Sequence, residues 1–230
     1  MFSIRKHLSL IGAGALTLGM VSGAGAQLVQ TQNFGSTGSP LTLPINQSLT
    51  FNQFNPLLGT LNSVDVLLSG SVNVSATVNN SGLATEHYTS LQVGAGLDLE
   101  NNAGKILASP NINVFFVSTS TAIGAGAHQT YGPQLVTQSD SNLYTVADGA
   151  TFSKFIGAGT IPLTLLVSND DILSGDVNVT ATPTSTGYGF GQVTYNFTPL
   201  ATSTPEPGVF ALLTGLGATG VFALRRRRAR

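Results

Sequence analysis

Cysteine and tryptophan are absent from the 230 residues. Without cysteine there are no disulfides, thiol nucleophiles or thiolate metal sites, so the fold rests on burial and main-chain pairing. Arginine is missing between Gln27 and Thr204, where Lys105 and Lys154 are the only cations. They face nine carboxylates: Asp65, Glu86, Asp98, Glu100, Asp140, Asp148, Asp170, Asp171 and Asp176. Neutralising phosphates needs clustered Lys or Arg, so this acidic stretch excludes nucleic acid as a partner.

Histidine is equally scarce, with only His7, His87 and His128. His87 lies between Glu86 and Tyr88; on a strand those two share one face and His87 takes the other. A Glu–His couple with a serine is the beginning of a hydrolase site, but the chain has no Gly-x-Ser-x-Gly elbow. The glycine pairs at 124 and 126, and at 157 and 159, do not complete Gly-x-Gly-x-x-Gly and read as turns or bulges. So thin a set of titratable groups points away from an enzyme, with a glycan hydrolase or lyase as the disfavoured alternative. No cofactor is expected.

Neutral polar residues and short alternating apolar runs make up most of the rest. Val64, Val66 and Leu68 occupy every second position, as do Val72, Val74, Ala76 and Val78. Val177, Val179 and Ala181, and Val193, Tyr195 and Phe197, repeat the pattern. A period of two puts one face inward and one toward water, as in half-buried antiparallel strands. Asn79–Gly82, Glu100–Gly104 and Ser168–Asp171 read as turns, because Asn, Asp and Gly accept left-handed backbone. No amphipathic helix is predicted in this region beyond a single turn near Phe54–Leu58. The prediction is an all-β fold, an antiparallel β-sandwich of jelly-roll-like form, over residues 27–200. Leu67–Gly82 is echoed by Ile172–Gly187, and two copies predict a pair of equivalent strands lying side by side or in facing sheets.

The two ends read as addresses. Arg5, Lys6 and His7 precede an apolar run from Leu8 to Val21, and Ala24-Gly25-Ala26 supplies the small residues of a cleavage site at Ala24 and Ala26. Residues 1–26 are therefore predicted to be a cleaved secretory signal peptide. Residues 201–230 carry Pro205-Glu206-Pro207, an uncharged apolar run over 208–224, and Arg225, Arg226, Arg227, Arg228 and Arg230. As a helix with ~1.5 Å rise per residue the run would reach roughly 25 Å, slightly short of a bilayer core of about 30 Å. Arginine-rich flanks stay cytoplasmic, so the preceding domain would lie outside the inner membrane. The competing reading is a buried C-terminal helix, but the run has no polar face.

The order of Pro-Glu-Pro, apolar run and arginines resembles the PEP-CTERM sorting signal of Gram-negative bacteria. The resemblance implies recognition by an exosortase-type processing enzyme through Pro205, Glu206 and Pro207, after delivery by the secretion machinery. It implies a transient inner-membrane anchor, then release or transfer to the cell surface, in an exopolysaccharide or biofilm setting. Phe51, Phe54, Asn55, Pro56, Gly59 and Leu61 open a long alternating strand. That segment is similar to the choice-of-anchor surface domains, type E in particular, a family that brings no activity with it.

The chemistry left to consider is binding. Asp98, Glu100 and Asn102 space oxygen ligands at alternate positions, and Asn169, Asp170 and Asp171 with Asp176 form a second acidic group. Both are candidate calcium ligands, although the first lacks the glycine and closing glutamate of an EF-hand loop. Tyr88, Tyr131, Tyr144, Tyr188 and Tyr195 are the candidate aromatic platforms, and Gly187-Tyr-Gly-Phe-Gly191 could present a ring. The expected function is that of a non-enzymatic, exported surface or matrix protein; a carbohydrate-binding module is the alternative. Scarce lysine leaves strand edges unguarded, which predicts self-association.

Overall fold

The computed structural model describes residues 17–19 and 25–200. Its strands are β1 (Thr17–Gly19), β2 (Ala26–Phe34), β3 (Leu41–Thr42), β4 (Ile45–Asn52), β5 (Gly59–Asn80), β6 (Glu86–Asn101), β7 (Ile106–Ala108), β8 (Asn111–Val117), β9 (Thr121–Ile123), β10 (His128–Thr145), β11 (Thr160–Asn169), β12 (Ile172–Gly175) and β13 (Val179–Pro199). Among the described residues helix is confined to single turns at Pro56–Leu58 and Val146–Asp148 and to α1 (Ala150–Ser153). The last two were not anticipated from sequence; α1 buries Thr151 and Phe152.

The strands form two antiparallel sheets, so the chain is an all-β sandwich. One sheet runs β1-β2-β13-β5-β10, with β3 also on β13; the other runs β12-β6-β11-β4, with β7, β8 and β9 along the far side of β6. Pairing follows a nested order. β2 pairs with β13, β4 with β11, β5 with β10 and β6 with β8. One long hairpin with its tip at β6–β8 would produce these four pairs. The contacts of β13 with β5 and of β11 with β6 fold that hairpin into two layers.

Alternation explains why these residues face inward. Val64, Val66, Leu68, Val72, Val74 and Val78 from β5 are buried, and so are Val193, Tyr195 and Phe197 from β13. They meet Leu97 and Leu99 of β6 and Leu163 and Leu165 of β11 in a single core. Burying a side chain of this size contributes about 1.5–3 kcal/mol.

The edges of the two sheets are laced by side chains. Buried Gln30 on β2 donates from Nε2 to the Asn52 carbonyl at 2.9 Å and accepts the Asn52 N–H on Oε1 at 2.8 Å. That amide imitates a strand neighbour for the end of β4. On the opposite side Asp140 accepts the Ser109 N–H at 2.8 Å, and Asn142 Nδ2 and Tyr144 Oη donate to the Leu107 carbonyl at 2.8 and 3.0 Å.

The Phe-x-x-Phe-Asn-Pro segment makes the corner that carries the chain from β4 to β5. Phe51 and Phe54 are buried, and Phe54 packs against Tyr195 and Phe197. Asn55 caps the turn by accepting the Leu57 N–H at 3.0 Å, with Pro56 at its first position. The motif is thus accounted for by folding.

The echoed segments lie partly in facing sheets and partly side by side. The first copy runs through β5 without interruption. The second begins in β12, paired with β6, and then crosses to β13 beside β5. Val177, expected to alternate inward with Val179, sits in the crossing turn and is 94% exposed. The turn wins there because the Asp176 carboxylate takes the His87 N–H at 2.7 Å, and Val179 donates back to the Asp176 carbonyl at 3.0 Å.

Among the described residues no helix is long and apolar enough to cross a membrane. The predicted anchor over 208–224 and the Pro205–Pro207 element lie outside the described residues, as does Arg225–Arg228.

Candidate functional site

Where β2 leaves the edge of β13, the chain turns outward. Phe34 is the last residue of β2 to pair with β13, opposite Gly189, and β3 resumes the edge opposite Thr186 and Gly187. Between them Gly35 adopts a φ of +58° and Ser36 bridges to Ser39. A side chain at Gly35 would meet the Gly187 carbonyl at 2.9 Å and Tyr188 Cβ at 3.1 Å. Glycine there lets the turn tuck in against Tyr188.

The result is a groove of about 350 Å³ on the outer face of the first sheet, lined by Asn33, Ser36, Ser69, Ser71, Thr137, Tyr188 and Phe190 with Gly35 and Gly189. Strand geometry selects these groups. Gly187, Gly189 and Gly191 face inward, so Tyr188 and Phe190 between them point outward, two residues apart and half-buried. Phe190 stands opposite Asn33 in the β2 register. Ser71 and Thr137 stand opposite each other on β5 and β10, and their hydroxyls share a hydrogen bond of 2.7 Å.

The chemistry of this lining is uniform. It offers hydroxyls, one carboxamide, a phenol and two rings, and no carboxylate, imidazole or amine. Among the lining residues the Tyr188 phenol is the one titratable group, and no carboxylate or imidazole stands beside it in the lining. It is suited to holding a neutral hydroxylated ligand, with ring faces against apolar patches and hydroxyls exchanging hydrogen bonds.

Of the residues singled out from sequence, Tyr188, Gly189 and Phe190 of the Gly187–Gly191 segment line this groove. Tyr88, Tyr144 and Tyr195 are buried. Burial pushes the Tyr195 phenol up, and its hydroxyl donates to the Asn52 carbonyl at 2.8 Å. Burial and then a hydrogen bond shared with Tyr131 raise Tyr88, which also donates to Gln129 Oε1 at 3.3 Å. Burial, helped by the charges of Asp148 and Asp140, raises Tyr144. These phenols are structural.

The calcium candidates are not gathered into one site. Asp98 accepts the Ser109 hydroxyl at 2.6 Å, and Glu100 lies farther along the outer face of β6. Asn102 sits in the following turn, where it accepts from Lys154 Nζ at 3.3 Å. Asp170 and Asp171 form the β11–β12 turn, where desolvation pushes the Asp171 carboxyl up against the lowering effect of a Gly94 backbone hydrogen bond. Among the described residues no group of three or more His, Asp or Glu side chains is placed to hold a metal ion.

His87 is exposed, with Nδ1 3.9 Å from Asp176 Oδ2, and no serine hydroxyl bonds to it. Gly124 and Gly126 lie in a tight turn, and Gly157 and Gly159 make room for the Gln53 side chain. Ala26, the last residue before the predicted cleavage point, pairs with Phe197 at the start of β2; Ala24 lies outside the described residues.

Sequence reasoning missed the polar half of the groove. Asn33, Ser36, Ser69, Ser71 and Thr137 come from three separate stretches of chain, and nothing distinguishes them from the many other Ser, Thr and Asn residues until the strands are aligned.

No family model and no curated protein matches the chain. Among solved structures it is similar to a chain of infectious bursal disease virus, Gx strain, at 12% identity and TM-score 0.18, covering 76% of this chain and 37% of that one. The Gt strain gives 10% identity and TM-score 0.18, covering 88% and 43%. The chain thus spans about two fifths of those viral chains. TM-scores this low carry no argument about function.

Proposed function

We propose that this is an exported, non-enzymatic cell-surface or matrix protein, delivered and processed through a PEP-CTERM-type tail. The observation that carries the reading is the ordered tail: Pro205-Glu206-Pro207, the uncharged run 208–224, then Arg225–Arg228. The N-terminal segment with its Ala24 and Ala26 cleavage residues supports it. The cargo is the sandwich over residues 27–200, read here as a jelly-roll of the choice-of-anchor kind because its strand pairs nest as one rolled hairpin. An exosortase-type enzyme and the secretion machinery are the partners, and the membrane is a temporary one. Mass spectrometry of the exported form tests this reading. Termini at Gln27 and within Pro205–Pro207 are expected; an exported form that keeps Arg225–Arg230 overturns it.

A second reading, favoured by the groove, is carbohydrate binding at the cell surface. Tyr188 and Phe190 beside the hydroxyls of Ser69, Ser71 and Thr137 support a neutral polysaccharide chain as ligand. Pull-down on the native exopolysaccharide should lose about two- to tenfold in retention on Tyr188→Ala, the loss of the ~0.5–1.5 kcal/mol that a stacked ring contributes. Unchanged retention would remove the groove from consideration.

A further inference from the structure

We infer that β10 is a homotypic docking edge, and that two copies of this chain pair antiparallel along residues 134–144 about a two-fold axis at Ser139. β10 ends its sheet, and among the described residues the main chain of 134–144 bonds to β5 and to no other strand. Its outer rim is therefore a row of free N–H and C=O groups, the template on which another strand adds.

Devices that blunt such edges are largely absent. β10 contains no Lys or Arg. The two lysines of the domain are engaged elsewhere, Lys105 Nζ with the Thr151 hydroxyl at 3.0 Å and Lys154 Nζ with Asn102. The one carboxylate of β10, Asp140, is turned to the Ser109 N–H. The bulge between Tyr131 and Gln134 and the proline at 133 interrupt the edge at one end, and the Val146–Asp148 turn closes it at the other. The free span left between them is 134–144, and its midpoint is Ser139.

Leu135 and Leu143 are both on the outer face and are 56% and 61% exposed. A two-fold at Ser139 sets Leu135 of each copy opposite Leu143 of the other, and Thr137 opposite Ser141. Asp140 faces Gln138, so no carboxylate opposes its own copy. Moving the axis to Asp140 keeps the faces but sets Asp140 against Asp140 and leaves Leu135 opposite Thr145. Moving it half a residue puts outer-face side chains against inner-face ones. Charge and apolar matching thus select one register, and the interface is isologous, as a closed dimer requires.

The cysteine-free chain makes the test direct. Single cysteines are introduced into the full-length chain, which is extracted in mild detergent and oxidised with copper phenanthroline. Ser139→Cys should crosslink to itself, and Leu135→Cys mixed with Leu143→Cys should give a heterodimer. Leu135→Cys alone should give at least about tenfold less, because its two copies would be roughly 27 Å apart, beyond disulfide reach. Leu135→Lys with Leu143→Lys should abolish the Ser139→Cys crosslink while circular dichroism stays unchanged. Absence of the Ser139→Cys dimer, or equal crosslinking at all three positions as association through the apolar tail would give, overturns the proposal.

Discussion

Asp176 and His87 exchange a pair of hydrogen bonds: the His87 N–H donates to Asp176 Oδ2 at 2.7 Å, and the Asp176 N–H donates to the His87 carbonyl at 2.9 Å. This exchange separates the two echoed segments. Where the first has Ser71, the second has Asp176, and only the second leaves its sheet. Replacing Asp176 by Ser should cost about 1 kcal/mol, the loss of one exposed charge-assisted bond. The reverse change, Ser71→Asp, should cost several times more. Ser71 is buried against Thr137, and a carboxylate there would have no cation beside it. Urea unfolding of both variants measures the asymmetry; equal losses would mean that position 176 does not direct the crossing.

The same pair marks the limit of what the sequence discloses. Alternation in Val64–Val78 and Val193–Phe197 identified strands correctly, because each has one buried and one wet face. The turns at Asn79–Gly82, Glu100–Gly104 and Ser168–Asp171 were legible for their backbone tolerance. β10 was not, because most of its residues are exposed and those turned even partly inward, Tyr131, Val136, Asp140 and Tyr144 among them, are too few to print an alternation. The crossing at Val177 was hidden by a repeat that looked continuous. Of the groove, Tyr188 and Phe190 stood out between glycines, whereas the hydroxyls became meaningful only once three stretches of chain were set side by side.

Glycine at 189 is required by a close approach of β13 to β5. An added Cβ would lie 2.2 Å from the Ser69 carbonyl, 2.6 Å from Phe34 Cζ and 2.9 Å from Gly70 Cα. Two of these are main-chain atoms of a central strand and cannot step aside. Gly189→Ala should cost about 3 kcal/mol or more, while Gly38→Ala, with nothing within 4 Å, should be close to neutral. Thermal melts of the two variants check this. A wild-type midpoint for Gly189→Ala would mean that the strands have room to separate.

The Tyr195 phenol predicts an alkaline limit. Burial raises its folded pKa above the ordinary value of about 10. Between those two values the unfolded chain has lost the proton while the folded chain retains it. Its contribution is therefore complete below about pH 10 and is lost as pH rises toward the folded value, with a slope near 1.4 kcal/mol per pH unit. Tyr195→Phe should lessen the slope of the stability profile above pH 10, to which Tyr88 and Tyr144 also contribute, and, at neutral pH, cost about 1 kcal/mol for the hydrogen bond to Asn52. Denaturant unfolding at neutral and alkaline pH tests both parts, and a variant as steep as wild type would place the alkaline sensitivity elsewhere.

Ser185 gives a prediction of the opposite sign. It faces inward on β13, is buried, and among the described residues its hydroxyl has no hydrogen-bond partner. A buried unpaired hydroxyl costs roughly 1–3 kcal/mol relative to an apolar group of similar shape. Its main-chain carbonyl accepts the Leu43 N–H at 3.1 Å, a bond that survives any side-chain change. Ser185→Ala should therefore stabilise the domain by about 1 kcal/mol, seen as a midpoint raised by about 2–4 °C for a domain of this size. Ser185→Val would fill the same space with added volume and should gain less, since a packed core resists extra methyl groups. A lower midpoint for Ser185→Ala would indicate that the hydroxyl has a partner, such as a buried water, and that its position in the core is satisfied.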